Sequence, residues 1–233
     1  MASFDDIVSL AKRRGFVFPG SEVYGGLAGT WDYGHYGSLL AHNIKDIWWK
    51  HFVEEREEML AVTSTTIMPE AVWRASGHLS GFTDPMVECA KCRHRFRADQ
   101  LPEKNRTEHI CPDCEGKLGE EKMFNLLFPV PVGSIEGAGG TAYLRGEIAQ
   151  GMFVNFKNIL DTMHPDLPFG LAQIGKAYRN EIAPRDFLFR VREFDLMEFE
   201  YFVRENDLKC GVQRCGVGLI ALAFRVRTYT NSK

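Results

Sequence analysis

Two segments in the second half of the chain decide the fold: G-K-A-Y-R-N-E at residues 175–181 and F-R-V-R-E-F-D-L-M-E at residues 189–198. Each belongs to a longer run of apolar and charged residues, and a short stretch containing Pro184 separates the two runs. This pattern predicts one strand from Leu171 to Glu181 and a second from Phe187 to Val203, paired as an antiparallel hairpin.

The charged residues of this hairpin suggest an anion-binding surface. Because side chains alternate between the faces of a strand, Arg179 and Glu181 are expected to project together, and Arg190 and Arg192 to share one face. Guanidinium groups on a rigid sheet suit bidentate recognition of a polyphosphate. The same charges could instead form cross-strand ion pairs on a solvated face. The sequence has no G-x-x-x-x-G-K-[ST] loop, so a nucleotide would have to bind to the hairpin.

Apolar spacing elsewhere predicts helices and one further strand. Helical periodicity covers Ser3 to Lys12, Leu39 to Val53 and Glu147 to Leu160. The β-branched residues between Ala61 and Met68 predict a strand. The tail from Asn206 to Lys233 combines scattered glycines with an apolar run, and no element is assigned to it.

Composition and charge narrow the class of protein. The chain has 233 residues, 45% of them hydrophobic, and its 28 basic and 31 acidic residues give a net charge of -3. A protein with this balance is not a simple basic RNA-binding module, so any contact with RNA requires a local patch. The sequence has neither a signal-like N-terminus nor an apolar run of roughly 18 residues. We therefore expect a soluble intracellular protein.

Four of the six cysteines form two close pairs, C-A-K-C at 89–92 and C-P-D-C at 111–114, with eighteen residues between them. This spacing predicts a closed, structural four-thiolate site, most simply for zinc, with iron as the alternative. The predicted ligands are Cys89, Cys92, Cys111 and Cys114. His94 and His109 are alternative ligands by their position in the sequence. Redox chemistry is the weaker interpretation, because no strand-to-helix context frames either pair.

The hairpin residues closely resemble the second signature motif of class II aminoacyl-tRNA synthetases, and within that class they resemble the homodimeric glycyl-tRNA synthetases. Segments 8–20, 24–27, 31–34 and 75–78 are similar to the same family, in the same order. The resemblance implies an α+β fold, with an antiparallel sheet flanked by helices. It implies a partial catalytic core over residues 1–205, a zinc-knuckle insertion at 86–118, and an unassigned tail at 206–233.

The resemblance also implies an activity and a set of partners. Members of the family are glycine–tRNA ligases, which use ATP to convert glycine to glycyl adenylate and then transfer the glycine to tRNA-Gly. ATP as substrate, Mg²⁺ on its phosphates and a cytoplasmic location are expected. The helix from Leu39 to Val53 occupies the position of the first signature motif, which builds the dimer interface, so a homodimer is also expected.

Roles for individual residues follow from the resemblance. Arg179 corresponds to the catalytic arginine on the α-phosphate, Glu181 to the acceptor of the adenine amino group, and Phe194 to the ring stacked on adenine, although Phe194 could equally be a core aromatic. The residues implied in ATP binding are Arg179, Asn180, Glu181, Phe189, Arg190, Val191, Arg192, Glu193 and Phe194. Those implied in glycine binding are Arg97, Glu147, Phe194, Asp195, Leu196, Met197 and Glu198.

The chain departs from the family in two respects. Gly146-Glu147-Ile148 stands where the family usually has Pro-Glu-Thr, and glycine removes a constraint that proline would impose. The resemblance fades after Arg204, with no counterpart of the third class II motif or of the anticodon-binding domain. We therefore expect a truncated or frame-altered part of the enzyme, with weak or absent aminoacylation. The alternative is a non-catalytic, zinc-containing, synthetase-like module that binds RNA or a protein partner.

Overall fold

A computed structural model describes residues 3–133, 140–184 and 187–204, together with the backbone of residues 225–228. The chain divides into two compact units. The first combines residues 1–35, 67–146 and 178–194, and the second combines residues 36–66, 147–177 and 195–233. Among the helices in the described ranges, none has the length and apolar character needed to cross a membrane. Most of the predicted tail lies outside the described residues.

Three helices carry the periodicity seen in the sequence, and three shorter ones connect strands. The helices are α1 Phe4–Arg13, α2 His35–Trp49, α3 Glu70–Ala75, α4 His78–Gly81, α5 Glu103–Glu108 and α6 Ala149–Met163. A π-helical segment, Lys50–Glu54, directly follows α2. The side-chain oxygen of Ser3 caps α1 by accepting a hydrogen bond from the N–H of Asp6, and the carboxylate of Asp6 accepts one from the N–H of Ser3. All three helices predicted from periodicity are confirmed.

Twelve short or long strands are found in the described part of the chain. They are β1 Val17–Pro19, β2 Trp31–Tyr33, β3 Met59–Ala61, β4 Ile67–Pro69, β5 Thr83–Glu88, β6 Arg95–Arg97, β7 Lys122–Asn125, β8 Phe128–Val132, β9 Gly140–Leu144, β10 Phe169–Tyr178, β11 Glu193–Val203 and β12 Arg225–Thr228. The sheets have the orders β1-β2, β12-β11-β10-β3, β4-β9-β8 and β6-β5-β7. Pairing is antiparallel in the first, third and fourth sheets. β3 and β12 add to β10 and β11 in parallel.

The long strands of the second unit are buried on both faces. On one face, Ala172 and Tyr201 pack with Trp48 of α2. On the other face, Leu171 and Phe202 pack with residues of α6. Burying a side chain the size of Leu171 or Phe202 contributes roughly 1.5–3 kcal/mol, which explains why these strands consist of nearly continuous apolar runs in the sequence.

The strand predicted from Ala61 to Met68 is present only at its two ends. β3 pairs with β10, whereas β4 pairs with β9 in a different sheet. Between them, the backbone N–H of Ser64 donates to the side-chain Oε1 of Gln173 at 3.2 Å instead of to a neighbouring strand. The prediction of one continuous strand is therefore wrong, because a side chain takes the place of the backbone partner.

The predicted hairpin is present, but its strands are shorter than the sequence indicated. β10 ends at Tyr178 and β11 begins at Glu193. The backbone N–H of Arg179 donates to the carbonyl oxygen of Arg192 at 2.9 Å, so the end of β10 lies beside the start of β11, as in an antiparallel pair. The prediction that Arg190 and Arg192 share one face of a strand is wrong, because both residues precede β11.

Two backbone hydrogen bonds explain why the chain leaves the sheet after β10. The N–H of Glu181 donates to the carbonyl oxygen of Arg179 at 2.7 Å, which closes a tight turn. The N–H of Asn180 donates to the carbonyl oxygen of Leu126 at 2.8 Å. Arg179 and Glu181 therefore lie just beyond the strand, and their directions are determined by this turn and not by strand alternation.

Candidate functional site

Arg179, the residue immediately after β10, is held between two aromatic rings of the first unit. Its guanidinium carbon lies 5.3 Å from the ring centroid of Phe82 and 5.1 Å from that of Phe194. Its Nε donates to the carbonyl oxygen of Gly146 at 3.1 Å. Contacts of a cation with two rings, each worth roughly 0.5–2 kcal/mol, fix the guanidinium plane. Among the described residues, no hydrogen bond uses its two Nη atoms.

Glu181 forms a mostly buried ion pair beyond the same strand. Its Oε2 lies 3.0 Å from the Nε of Arg190, and the two side chains are only 10% and 16% exposed, respectively. Arg192 approaches the same residue from the backbone side, where its Nη2 donates to the carbonyl oxygen of Glu181 at 3.0 Å. The ion pairing that the sequence left open is therefore present, but it is buried and not on a solvated face.

Arg192 joins the hairpin to the glycine-rich loop that precedes β2. Its Nη1 donates to the carbonyl oxygen of Ala28, and its backbone N–H donates to the carbonyl oxygen of Gly29 at 2.7 Å. Gly29 has φ +75, and a Cβ at this position would lie 2.4 Å from the Cβ of Pro184. Burial lowers the pKa of Arg192 from the usual value, and the charge of Glu181 opposes that shift. The close contact between this loop and Pro184 therefore requires glycine at position 29.

The remaining residues that the resemblance assigned to ATP lie around this turn. Val191 is buried, Glu193 is exposed at the start of β11, and Asn180 makes the backbone hydrogen bond described above. Phe189 is 82% exposed, and its ring centroid lies 6.2 Å from that of Phe4. All of the predicted ATP residues lie in the first unit. Glu181 contacts both Arg190, through its carboxylate, and Arg192, through its backbone carbonyl oxygen. The backbone of Arg179 is hydrogen-bonded to the backbones of Glu181 and Arg192.

Arg97, predicted to contact glycine, carries two carboxylate partners. Its Nη1 lies 2.6 Å from Oδ2 of Asp84, while its Nε and Nη2 form a bidentate pair with Asp99 at 3.0 and 2.7 Å. Hydrogen bonding to Asp99 is the main reason that the pKa of Arg97 is raised. The same contact lowers the pKa of the Asp99 carboxyl group. Arg97 is therefore fixed in place, and any ligand carboxylate would have to share its guanidinium.

Apart from Phe194, which lies in the first unit, the other predicted glycine residues belong to the second unit. Glu147 accepts a hydrogen bond from Nε2 of Gln150 at 2.7 Å. Asp195 pairs with Lys45 at 3.0 Å and with Lys176 at 3.6 Å. The segment 195–198 lies in β11, so the side chains of Asp195 and Met197 lie on the opposite face from those of Leu196 and Glu198. The four side chains of this segment do not share one face.

A buried polar contact in the second unit was missed by the sequence analysis. Gln173 is completely buried on β10, and its Oε1 accepts hydrogen bonds from the N–H and the hydroxyl of Ser64, at 3.2 and 2.9 Å. Its Nε2 has no hydrogen-bond partner among the described residues. A Cβ on Gly151 would meet the Oγ of Ser64 at 1.8 Å. A glutamine inside the apolar run of β10 was the available signal.

The four predicted cysteine ligands converge in the first unit. Their sulfur atoms all lie within 4.8 Å of one another, with 3.5 Å between Cys89 and Cys114 and 3.7 Å between Cys92 and Cys111. A tetrahedral zinc with Zn–S bonds of about 2.3 Å requires sulfur atoms about 3.8 Å apart, so the cluster has nearly the required size. A hydrogen bond from the backbone of Cys92 is the main cause that lowers the pKa of Cys89 to about 6.

The two histidines proposed as alternative ligands are not part of this four-residue cluster. Nδ1 of His94 lies 2.6 Å from Oδ2 of Asp113, a residue between the second pair of cysteines. This contact places His94 beside the cysteine cluster as a neighbour of one of its turns. Cys210 and Cys215, which the sequence analysis left unused, lie outside the described residues.

The sequence is similar to curated glycine–tRNA ligases. It is 47% identical to that of Treponema denticola over 202 residues, which are 87% of this chain and 45% of that protein. It is 46% identical to the enzyme of Thermobifida fusca over 215 residues, 87% of this chain and 46% of that one. It is 47% identical to the enzyme of Borrelia garinii over 211 residues, which are 89% of this chain and 46% of that protein. No family model matches the chain.

The fold is similar to those of other class II synthetases. A structure of the RNA binding domain of threonyl-tRNA synthetase from Cryptosporidium parvum aligns with a TM-score of 0.57 and 18% identity, covering 89% of this chain and 39% of that one. Prolyl-tRNA synthetase from the same organism, in complex with halofuginone and AMPPNP, aligns with a TM-score of 0.51 and 14% identity, covering 85% and 30%. The predicted α+β, class II-like fold is confirmed.

This chain spans about half the length of the curated relatives it matches. The matched region covers 87–89% of this chain. The resemblance inferred from the sequence is therefore confirmed, and over most of its length this chain is homologous to about half of a glycyl-tRNA synthetase.

Proposed function

We propose that this chain carries the ATP- and glycine-binding part of a glycine–tRNA ligase and forms glycyl adenylate. The observation that carries the proposal is the setting of Arg179, whose guanidinium is fixed by Phe82, Phe194 and the carbonyl oxygen of Gly146. An arginine anchored through its Nε and its faces keeps two Nη donors for an anion. The sequence identity to glycine–tRNA ligases supports the same assignment.

Arg179 would act on the α-phosphate of ATP. A carboxylate oxygen of glycine attacks the α-phosphorus, the bond to the bridging oxygen breaks, and pyrophosphate leaves with that electron pair. A carboxylate is already a nucleophile, so the reaction needs no general base. The Nη groups of Arg179 would neutralise the charge that develops on the α-phosphate oxygens, and their fixed position avoids a reorganisation cost during the reaction.

Glu181 and Phe194 would bind the adenine. One carboxylate oxygen of Glu181 is engaged by Arg190, and we assign the other to the adenine amino group. The guanidinium of Arg179 lies over one face of the Phe194 ring, so adenine would stack on the other face. Arg190 and Arg192 would add positive charge beside the phosphates. Mg²⁺ would accompany the phosphates, as it does in most reactions of ATP.

Selection of glycine would depend on charged groups, because this substrate has no side chain to recognise. We assign the glycine ammonium to carboxylates of Glu147 and Glu198. For Arg97, the resemblance to the family supports a role in glycine binding. The segment 194–198 would supply the rest of the glycine site. A site that leaves no room for a Cβ rejects larger amino acids by steric clash.

The four cysteines would hold a structural Zn²⁺. Their residue types, their number and the distances between their sulfur atoms fit a closed tetrahedral site, which leaves no open position for catalysis. The metal would therefore order the polar segment around the cysteines and take no part in adenylate formation. His94 and Asp113 would contact this site from outside the ligand set.

Three further assignments complete the proposal. The glycyl adenylate would react with tRNA-Gly, as in the ligases to which the chain is similar, in the cytoplasm. A homodimer would form through α2, which exposes Leu39, Leu40, Ile44 and Ile47. Large apolar side chains on one helix are typical of an interface between subunits.

Glycine-dependent exchange of pyrophosphate into ATP tests the proposed function on the 233-residue chain. We expect a slow exchange that requires glycine and that falls at least a hundredfold in Arg179→Ala. Arg74→Ala is the matched control, because Arg74 is a 72% exposed arginine on α3 whose one ion-pair partner among the described residues is its neighbour Glu70. Equal exchange with and without glycine, or in both variants, would instead favour the non-catalytic binding module.

A further inference from the structure

The cysteine lobe, residues 83–125 from β5 to β7, packs the four-cysteine cluster directly against the segment that follows β6. Phe96 of β6 and Ala98 lie in the same buried cluster as Cys89 and Cys111. The order of the cysteine site and the position of the segment after β6 are therefore linked by direct packing. A short 3-10 turn, Ala98–Gln100, continues from this segment.

Gln100, the last residue of this turn, contacts the proposed nucleotide site. Its Oε1 accepts a hydrogen bond from Nη1 of Arg190 at 2.5 Å, across 90 positions of sequence. The Nε of the same guanidinium pairs with Oε2 of Glu181 at 3.0 Å. Within the described part of the chain, Arg190 therefore has one partner in the cysteine lobe and one at the end of β10.

We infer that Gln100 is a positioning residue through which the cysteine lobe holds the guanidinium of Arg190 in the orientation that a nucleotide phosphate requires. The inference rests on the proposed function, because it assumes that Arg190 serves a phosphate. Gln100 acts through Arg190 and does not itself contact the nucleotide. The cysteine site thereby supports nucleotide binding, in addition to ordering its own lobe.

The chemistry of a glutamine suits this task. Glu181 fixes only one nitrogen of the guanidinium, which leaves rotation about that contact possible. A second acceptor on Nη1 removes this freedom and directs Nη2. The amide oxygen provides the acceptor without adding a negative charge, which would repel the phosphates. A carboxylate at position 100 would hold the arginine equally well but would oppose the ligand.

The position of Gln100 depends on a series of contacts that hold its 3-10 turn in place. Bidentate pairing of Arg97 with Asp99, together with the contact from Arg97 to Asp84, fixes the start of the 3-10 turn on β5. Packing of Ala98 with the cysteines fixes its inner side. Gln100 is the residue of the turn that hydrogen-bonds to Arg190, and the charge of Asp99 in the same turn also acts on Arg190. A change at the cysteines can therefore reach Arg190 through this turn.

The direct test is the order of the Arg190 guanidinium group, measured by NMR relaxation of its Nη–H groups in the chain without nucleotide. We expect an ordered signal in the wild-type chain, a loss of order in Gln100→Leu, and recovery of order in Gln100→Glu. Glu103→Leu, at an exposed position of the same lobe, is the control and should have no effect. An Arg190 signal that is equally ordered in Gln100→Leu, or disordered in the wild type, would overturn the inference.

Chelation of the metal tests the link to the cysteines in the same experiment. It should reduce the order of Arg190 in the wild type and have no further effect in Gln100→Leu. The Nε–H of Arg179, bonded to Gly146, is the internal reference and should stay ordered. Loss of both arginine signals together, or of neither, would contradict a specific connection through Gln100.

Nucleotide affinity separates this inference from the proposed function. Loss of one solvent-exposed hydrogen bond, worth about 1 kcal/mol, predicts an ATP dissociation constant about fivefold higher in Gln100→Leu, with adenosine binding unchanged. An equal loss for both ligands would indicate a merely structural role and would overturn the inference. If the wild-type chain binds no ATP, the proposed function fails, and the order of Arg190 still decides whether Gln100 positions it.

Discussion

The backbone N–H of Arg179 donates to the carbonyl oxygen of Arg192 at 2.9 Å, at the point where β10 and β11 separate. This hydrogen bond connects the two sides of the loop that carries most of the proposed ATP residues. The guanidinium of Arg179 is then directed by aromatic rings, whereas that of Arg192 is directed by backbone carbonyl groups. Two neighbouring arginines thus have different partners, and they should respond differently to mutation.

Replacing Phe82 by leucine should weaken ATP binding with little loss of stability. The substitution keeps an apolar side chain in the cluster of Met68, Trp73 and Leu127 but removes one of the two rings beside Arg179. Loss of a cation–π contact of roughly 1 kcal/mol predicts an ATP dissociation constant about fivefold higher. Calorimetric titration measures it, with thermal unfolding as the control. An unchanged dissociation constant would show that Phe82 does not hold Arg179 for the ligand.

Removing the charge of Glu181 should destabilise the chain. The ion pair with Arg190 is mostly buried, so Glu181→Gln leaves a guanidinium without its counter-charge. Breaking a buried pair typically costs about 3–5 kcal/mol, and because both side chains keep some exposure to water, 10% and 16%, we expect a loss of about 2 kcal/mol. Urea unfolding of Glu181→Gln measures the loss. Glu120→Gln, at an exposed position, should match the wild type, and equal stability of all three chains would contradict the pairing.

Gly29→Ala should disrupt the contact between the glycine-rich loop and the hairpin. A Cβ at Gly29 would lie 2.4 Å from Pro184, whereas a Cβ at Gly25 would meet nothing within 4 Å. Both glycines have positive φ, +75 and +92, so both substitutions carry backbone strain of roughly 1 kcal/mol. The difference in unfolding free energy between Gly29→Ala and Gly25→Ala reports the steric clash alone. We expect Gly29→Ala to be less stable by about 1–3 kcal/mol, and equal stabilities would exclude close packing.

The carboxyl group of Asp99 should titrate below the usual range. Hydrogen bonding to Arg97 lowers its pKa in the folded chain, so its contribution to stability is present above the unfolded pKa of about 3.9 and is lost as the pH falls through the lower, folded value. NMR titration of the carboxyl carbon measures this pKa. In Arg97→Gln the pKa of Asp99 should move up towards the ordinary value. An Asp99 pKa that is the same in both chains would contradict the bidentate pair.

Metal binding should require all four cysteines and neither neighbouring histidine. Co²⁺ bound to the chain should give the absorption bands of a tetrahedral thiolate site, with one ion per chain. Cys111→Ser should lose these bands and lower the midpoint of thermal unfolding, whereas His94→Ala should keep them. Because metal binding contributes to folding, chelation should lower the midpoint in the wild type as well. Tetrahedral thiolate bands that persist in Cys111→Ser would show a different ligand set.

Local patterns in the sequence predicted the parts of the fold that depend on nearby residues. The cysteine pairs are two short turns, and their spacing was enough to predict a site in which Cys89 and Cys114 lie 3.5 Å apart. The helical periodicity around Trp48 likewise predicted α2, because that periodicity records which face is buried against the sheet. The resemblance to a known family indicated the order of the elements.

Contacts between distant segments could not be predicted in the same way. The strand limits depend on the hydrogen bond from Asn180 to Leu126, and the orientation of Arg179 depends on the carbonyl oxygen of Gly146. Every residue has a backbone carbonyl group, so the sequence does not indicate that those of Leu126 and Gly146 accept these hydrogen bonds. Gln173 did give a signal in the sequence, as a polar residue in an apolar strand, but its partner Ser64 lies 109 positions away.

The most direct test of the central claim is the affinity of the 233-residue chain for ATP in the wild type, Arg179→Lys and Arg74→Ala. Lysine keeps the charge but cannot provide two Nη donors together with the Nε contact to Gly146. We predict that Arg74→Ala binds as the wild type does, and that the dissociation constant of Arg179→Lys is at least tenfold higher. Equal ATP affinity of the wild type and Arg179→Lys would contradict the claim that Arg179 binds the nucleotide.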